Sequence, residues 1–461
     1  MTHPTVESFD ITVGQPREGD IRELASRLEC HAAADSEYWS FVENGHRDYL
    51  HSLFRYPAMM VPGLQRKLLE TCISWDPTIE RIYDPFVGSG TVMTEAMLLG
   101  RSFVGADINP LAILICRAKS EHFDAADLNR DLRRLLDQVR ADTSDTVDVE
   151  FPHMNKWFEP HVLKSLCRLR RAIMARPYGR TRRFWWVVLA ETTRLVSNSR
   201  TSTVKLHLRP TSEIESRPDP IIRFQEIAEH SVRIVAAQQE ILEANGFLGK
   251  GVYRRKIELR VADVRRHKIT PADLLMSSPP YGDNHSTVTY GQAAYLPLQL
   301  IPTEDIGANI NRALIVSTHS TDTASLGGAR SAKAVHDAER ALDRSASLRR
   351  LIDDLKDQPL DRRTRIAGFF RDFDLGLDTV IDNLRPGAIM LWTVGDRSVG
   401  GRRVPMAVIM RQLIGDRADY VTDFKRSIPP AKKRMPTRNA LTKTMSYETI
   451  LVLRKSPLKL S

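Results

Sequence analysis

Asp84-Pro85-Phe86-Val87-Gly88-Ser89-Gly90-Thr91 is the stretch that decides the fold. A short apolar run, Arg81-Ile82-Tyr83, leads into it. Thr91 to Leu99 behind it reads as a helix ended by Gly100. Glycine reaches positive φ and carries no Cβ, so this loop can turn sharply and let a ligand approach the backbone. The following helix aims its first amides at whatever lies over the loop. Ser102 to Ala106 then reads as a second strand, closing on Asp107, which lies 17 residues after Gly90 (107 − 90). A carboxylate at that place accepts both hydroxyls of a ribose. Ile108 follows it, and a helix is expected from Pro110 to Lys119. Strand, glycine turn, helix, strand and acid make one βαβ unit of a nucleoside-binding α/β fold.

Alternation breaks beyond residue 120. Residues 121–254 read as mostly helical and carry Arg168-Leu169-Arg170-Arg171 and Arg180-Thr181-Arg182-Arg183. It returns with a strand from Ile257 to Val261, near Asp263, and another from Ala272 to Met276. The second runs into Ser277-Ser278-Pro279-Pro280-Tyr281. Two prolines fix φ and donate no N–H, so the carbonyls of this rigid loop are free to face a cavity. A hydroxyl, a free carbonyl and an aromatic ring then make a holder for a planar amine. Ser278 and the Pro279 carbonyl can accept its two protons while Tyr281 stacks on its ring. Residues 301–367 read as a second helical insertion. Phe369 to Leu384 is an amphipathic helix, turned by Pro386-Gly387 into a buried strand from Ala388 to Val394. Tyr420 to Phe424 and Glu448 to Leu453 are the last two expected strands.

Both strings resemble the amino-group DNA methyltransferases, which modify N4 of cytosine or N6 of adenine. The resemblance implies an α/β fold with a Rossmann-like S-adenosylmethionine-dependent methyltransferase sheet and helical insertions. In that family the Asp-Pro-Phe-x-Gly-Ser-Gly loop holds S-adenosylmethionine. The catalytic loop is (Ser/Asn/Asp)-Pro-Pro-(Tyr/Phe/Trp), here Ser278, Pro279, Pro280 and Tyr281. The cofactor residues it implies are Tyr56, Asp84, Pro85, Phe86, Gly88, Ser89, Gly90, Thr91, Asp107, Ile108 and Asp263. Phe54 to Leu69 resembles the piece that packs beside the cofactor's methionine end. Asp263 sits where the family contacts the adenine ring. The implied catalytic domain is 51–120, 255–300 and 368–455, after a lead-in over 1–50. The insertions 121–254 and 301–367 are the places left for DNA recognition.

Serine at 278 tilts the reading toward cytosine N4 in double-stranded DNA. An N6-adenine enzyme is the runner-up. An RNA guanine-amine enzyme stands third, because such enzymes usually read Asp-Pro-Pro-Tyr. Ring-carbon methylation of cytosine would need a Pro-Cys nucleophile, and none of Cys30, Cys72, Cys116 and Cys167 follows a proline. Their spacing fits no metal pattern either, so no metal is expected. The 461 residues carry 67 Lys plus Arg against 57 Asp plus Glu, a formal charge of +10, which suits a polyanionic partner. Arginine clusters are the expected phosphate contacts, with Ser197-Asn198-Ser199-Arg200-Thr201 and Lys432-Lys433-Arg434 as further polar loops. With 42% hydrophobic residues the chain can bury a core, which excludes wholesale disorder. No apolar run spans a membrane and no signal core opens the chain, so a cytoplasmic protein is expected. A cognate restriction endonuclease is the expected partner besides DNA.

Overall fold

The computed structural model describes residues 20–35, 37–41, 49–282, 285, 287–329, 331–428 and 445–457. Much of the expected lead-in and the Lys432-Lys433-Arg434 loop lie outside the described residues.

Among the described residues, seven strands form the central sheet: β1 (Arg81–Asp84), β2 (Ser102–Asp107), β3 (Ile257–Val261), β4 (Ala272–Ser277), β5 (Leu384–Gly395), β6 (Ala418–Ser427) and β7 (Tyr447–Lys455). Their order is β3-β2-β1-β4-β5-β7-β6. The first five in that order are parallel, and β7 runs antiparallel to both neighbours. The direction of winding reverses between β1 and β4. A crevice opens at such a switch, outside the carboxyl ends of the strands. Asp84, Asp107 and Ser277 all stand at those ends.

Alternation along the strands divides the core in two. Ile82, Phe103, Leu274, Met276, Leu391 and Val452 face one side. They meet α1 (Ile21–Ala34), α2 (Pro62–Trp75) and α3 (Thr91–Leu98) through Leu24, Leu28, Leu64, Leu68 and Val92. Their neighbours Tyr83, Val104, Leu275, Met390, Trp392 and Leu451 face the other side. There they meet Phe369, Phe373 and Leu377 of the helix Leu360–Asp382, and Ile409 and Leu413 of the helix Met406–Ile414. Because Leu24 and Leu28 are fully buried, α1 is part of the main core rather than a separate lead-in.

A third core belongs to the inserted helices. The helix α5 (Ala125–Ala141) places Leu128, Leu132, Leu135, Leu136 and Val139 on one face, the spacing of an amphipathic helix. It packs with the helices Pro160–Met174, Arg180–Val196 and Pro220–Ala244 against Leu111, Leu114 and Ile115 of α4 (Pro110–Ser120). The insertion therefore shares a core with the βαβ unit. Two buried indoles anchor it: Trp185 donates to Asp131 at 2.7 Å and Trp186 to Asp305 at 2.6 Å. Asp305 also accepts from Arg182 at 2.7 Å, tying residues 301–367 to the first insertion. No described helix is long and apolar enough to cross a membrane.

Three local expectations are corrected. The helix expected from Phe369 begins nine residues earlier (369 − 360), at Leu360, where its charged first turns escape an apolar-period reading. Pro386-Gly387 lies within β5 rather than before it. Between the pairs Ala272–Leu384 and Leu274–Ile389, β5 carries three extra residues (5 − 2), a bulge that Gly387 at φ 78° accommodates. A hairpin, Arg397–Val399 with Arg402–Val404, and the helix Met406–Ile414 follow β5 and were not expected.

Replacing Asp305 by Ala leaves the Trp186 N–H without its acceptor and the Arg182 guanidinium without its carboxylate partner. We expect a loss of about 3 kcal/mol in chemical denaturation. A change under about 1 kcal/mol would show that this junction is not what joins the insertions.

Candidate active site

The glycine loop is built as its composition demands. Gly88 and Gly90 take φ of 50° and 78°. Gly90 also has no room for a side chain, since a Cβ would stand 2.9 Å from the Cys116 sulfur of α4. From α4, the buried Lys119 ammonium donates to the Ser89 carbonyl at 2.8 Å. Burial lowers Lys119 to a pKa of about 8. From β2, Asp107 accepts from the Gly88 amide at 2.9 Å and the Asn109 amide at 2.8 Å. A carboxylate has about four acceptor positions, so two amides leave room for two hydroxyls. Burial pushes Asp107 up to about 6. Asp84 is fully buried, and burial pushes it up to about 7. Its Oδ1 accepts from the Ser277 hydroxyl at 2.6 Å and the Phe86 amide at 3.0 Å, while its Oδ2 has no hydrogen-bond partner among the described residues.

One cavity of about 550 Å³ lies over these loops. That volume suits a cofactor-sized ligand. It is lined by Tyr56, Pro85, Phe86, Gly88, Ser89, Thr91, Asp107, Ile108 and Asp263, and also by Ser278, Pro279, Pro280 and Tyr281. Thirteen of the fifteen residues singled out in the sequence thus meet in one place (9 + 4). Asp84 and Gly90 do not line it. Asp84 lies beneath the loops and joins them, and Gly90 packs against α4. Asp263 reaches the wall, but its carboxylate is held by the Arg265 guanidinium at 2.7–3.0 Å, and Arg265 reaches on to Asp372.

Other lining residues were not legible beforehand. Asn109 donates to the Tyr56 hydroxyl at 3.0 Å, and the Tyr56 ring stacks on Tyr290 with centroids 5.7 Å apart. Tyr290 opens the helix Tyr290–Leu300, whose apolar composition reads only as core. Glu448 and Arg426 enter the cavity from β7 and β6, where they face each other in register. Their one available signal was a pair of opposite charges near the ends of the last two strands.

Several expected DNA contacts are engaged elsewhere. Arg168 pairs with Asp145, Arg170 with Asp148, Arg171 with Asp142, Arg182 with Asp305 and Arg183 with Glu121. Four of these arginines bind acids of their own insertion and Arg182 binds an acid of the other, so proximity to Asp and Glu decides their use. Ser197, Asn198 and Ser199 are buried, and Asn198 donates to the Lys156 carbonyl and Glu159.

A sheet in this order carries a glycine loop, an acid at the end of β2 and a Ser-Pro-Pro-Tyr loop along one carboxyl edge. That combination fits S-adenosylmethionine as the bound cofactor and methyl transfer as the chemistry. No family model matches the chain. It is similar to the type II methyltransferase M.MvaI of Kocuria varians, with 25% identity over 452 residues, 94% of this chain and 96% of that one. It is also similar to the type II methyltransferase M.MjaII of Methanocaldococcus jannaschii, with 28% identity over 114 residues, 24% of this chain and 21% of that one. A tRNA (guanine(10)-N2)-dimethyltransferase of Methanothermobacter thermautotrophicus shares 36% identity over 86 residues, 17% of this chain and 25% of that one. The likeness to a type II methyltransferase therefore runs nearly the length of the chain.

An ionised Asp107 accepts hydroxyl protons, whereas a protonated one offers fewer acceptor sites. Affinity for S-adenosylmethionine should then be full above about pH 6 and fall as pH drops through it. Asp107→Asn should bind roughly tenfold more weakly at neutral pH and lose that pH dependence. Calorimetry between pH 5 and pH 8, taken here as roughly the titration window of the group, checks both effects. A folded Asp107→Asn variant that keeps the wild-type profile would assign the titration to another group.

Proposed function

We propose that this chain is a site-specific DNA methyltransferase acting on the exocyclic N4 of cytosine in double-stranded DNA, as the modification enzyme of a restriction-modification system. One observation carries this reading: the Ser278-Pro279-Pro280-Tyr281 loop faces the glycine loop across a single cavity. The type II methyltransferases that resemble the chain support DNA as the substrate, and a cognate endonuclease is the partner this reading implies. Such a system works in the cytoplasm.

S-adenosylmethionine supplies an electrophilic methyl group on sulfur. The chain's own residues position the acceptor. Asp107 accepts from the ribose hydroxyls, while Tyr56, Phe86, Ile108 and the glycine loop enclose the cofactor. Ser278 Oγ and the Pro279 carbonyl accept the two amine protons. That steers the nitrogen lone pair toward the methyl group as the nitrogen becomes tetrahedral. No strong base is required first, because the nitrogen becomes acidic once methylated. The target base must leave the duplex to enter, and the Tyr281 ring offers a surface that offsets part of the lost stacking.

The inserted helices over 121–254 are our candidate for target recognition. Their exposed tip, with Arg200 and Lys205, is tied to the cavity's edge where the Leu206 amide donates to Gln292 at 3.0 Å, two residues beyond Tyr290. Ser278 favours cytosine over adenine, since its neutral side chain matches the cytosine enzymes of the resembled family.

Digesting methylated DNA to nucleosides for mass spectrometry tests the reading, and single-molecule sequencing of DNA from expressing cells maps the site. N4-methylcytosine without 5-methylcytosine is expected. N6-methyladenine alone would overturn the cytosine assignment and leave the amine mechanism in place; 5-methylcytosine would overturn both.

A further inference from the structure

The Tyr281 hydroxyl lies 3.1 Å from Ser278 Oγ and 2.9 Å from Glu448 Oε1. The other Glu448 oxygen accepts from Arg426 Nε at 2.7 Å. The arrangement crosses three elements: the catalytic loop, β7 and β6. Its hydrogens can be assigned from valence alone. A carboxylate paired with a guanidinium only accepts, and the guanidinium only donates. The single Tyr281 proton therefore goes to Glu448. The Thr393 carbonyl, 3.5 Å away, is also an acceptor and does not alter that direction. With its proton committed, Tyr281 can only accept from Ser278. The single Ser278 proton then points at Tyr281, and the lone pairs of Ser278 Oγ are what remain for a ligand.

We propose that Glu448, acting through Tyr281, fixes Ser278 as a hydrogen-bond acceptor and thereby makes the pocket select a base bearing an amine over one bearing a carbonyl at the same position. The proposal rests on the assignment of Ser278 to the amine. Glu448 is a positioning residue in this scheme, since it touches Tyr281 rather than the base. A hydroxyl free to rotate can donate to a carbonyl or accept from an amine. A hydroxyl locked as an acceptor meets a carbonyl oxygen lone pair to lone pair, and that mismatch rejects the wrong base.

Glu448→Gln and Tyr281→Phe test the relay with little change of shape. A Gln amide can turn its N–H toward the Tyr281 oxygen, and Phe removes the link; either frees the Ser278 proton. The probes are a duplex carrying the mapped target site and the same duplex with the target amine replaced by a carbonyl, uracil for cytosine or hypoxanthine for adenine. The ratio of the two affinities is compared between variant and wild type, so the duplex's own contribution cancels. Both variants should keep wild-type affinity for S-adenosylmethionine. They should lose about tenfold in amine-over-carbonyl preference, through tighter binding of the carbonyl duplex, and about tenfold in single-turnover methylation. A simple loss of shape would not strengthen binding of the carbonyl duplex. If both variants keep wild-type preference and rate while Ser278→Ala is impaired, the relay is wrong and the amine assignment survives. If Ser278→Ala also keeps wild-type preference and rate, the amine assignment itself fails.

Discussion

The buried Asp84 carboxylate accepts the Ser277 hydroxyl and the Phe86 amide with one oxygen, at the junction of β1 and β4. Both halves of the cavity depend on that junction. Phe86 begins the glycine loop, and Ser277 is the last residue before Ser278. A parallel sheet would leave these two loops as independent excursions from neighbouring strands. The shared acceptor makes the position of one loop a condition on the other. Burying a carboxylate without an ion-pair partner is costly, and its pKa near 7 reflects that cost. Hydrogen bonds from Ser277 and Phe86 offset part of it. The Val87 amide adds a bond to the Ala106 carbonyl of β2 at 2.9 Å, so the loop is held from both sides of β1.

A second layer of constraint comes from α4. Lys119 and Cys116 reach back to the carbonyls of Ser89 and Gly88, and Gly90 has no space for a side chain because Cys116 fills it. The same helix supplies Leu111, Leu114 and Ile115 to the core of the inserted helices. One helix thus serves the loop on one face and the insertion on the other, which is why the insertion stands beside the cavity. The excess positive charge looked like a surface for phosphates. Much of it is instead paired within and between the insertions, where arginines of two helices bind Asp142, Asp145, Asp148, Glu121 and Asp305. Net charge describes the whole molecule's attraction to a polyanion and says little about which arginines touch it.

The sheet's first two strands, the helix between them and the strand before Ser277 were legible because a glycine turn, a strand-end acid and a Pro-Pro pair each impose a local backbone geometry. Cavity membership was legible for the same reason, since loops after parallel strands converge at the switch point. Asp84 shows the limit of that reasoning. Its place in the motif was clear, but its partner Ser277 lies 193 residues away, and only the pairing of β1 with β4 brings them together. Tyr290, Arg426 and Glu448 lie in an apolar helix and on edge-side strands whose alternation reports burial and not which cavity a side chain enters. The bulge at Pro386-Gly387 read as a turn, because proline and glycine mark both and only the register with β4 distinguishes them.

If the two loops work as one unit, Ser277→Ala should harm transfer more than cofactor binding. Ser277 is buried and does not line the cavity, and loss of its hydroxyl leaves Asp84 tied to the glycine loop alone. Single-turnover methylation of DNA, with S-adenosylmethionine affinity measured on the same folded preparation, tests this most directly. The account predicts a rate reduced about tenfold or more, with cofactor affinity changed by less than about threefold. A wild-type rate in that variant would contradict it.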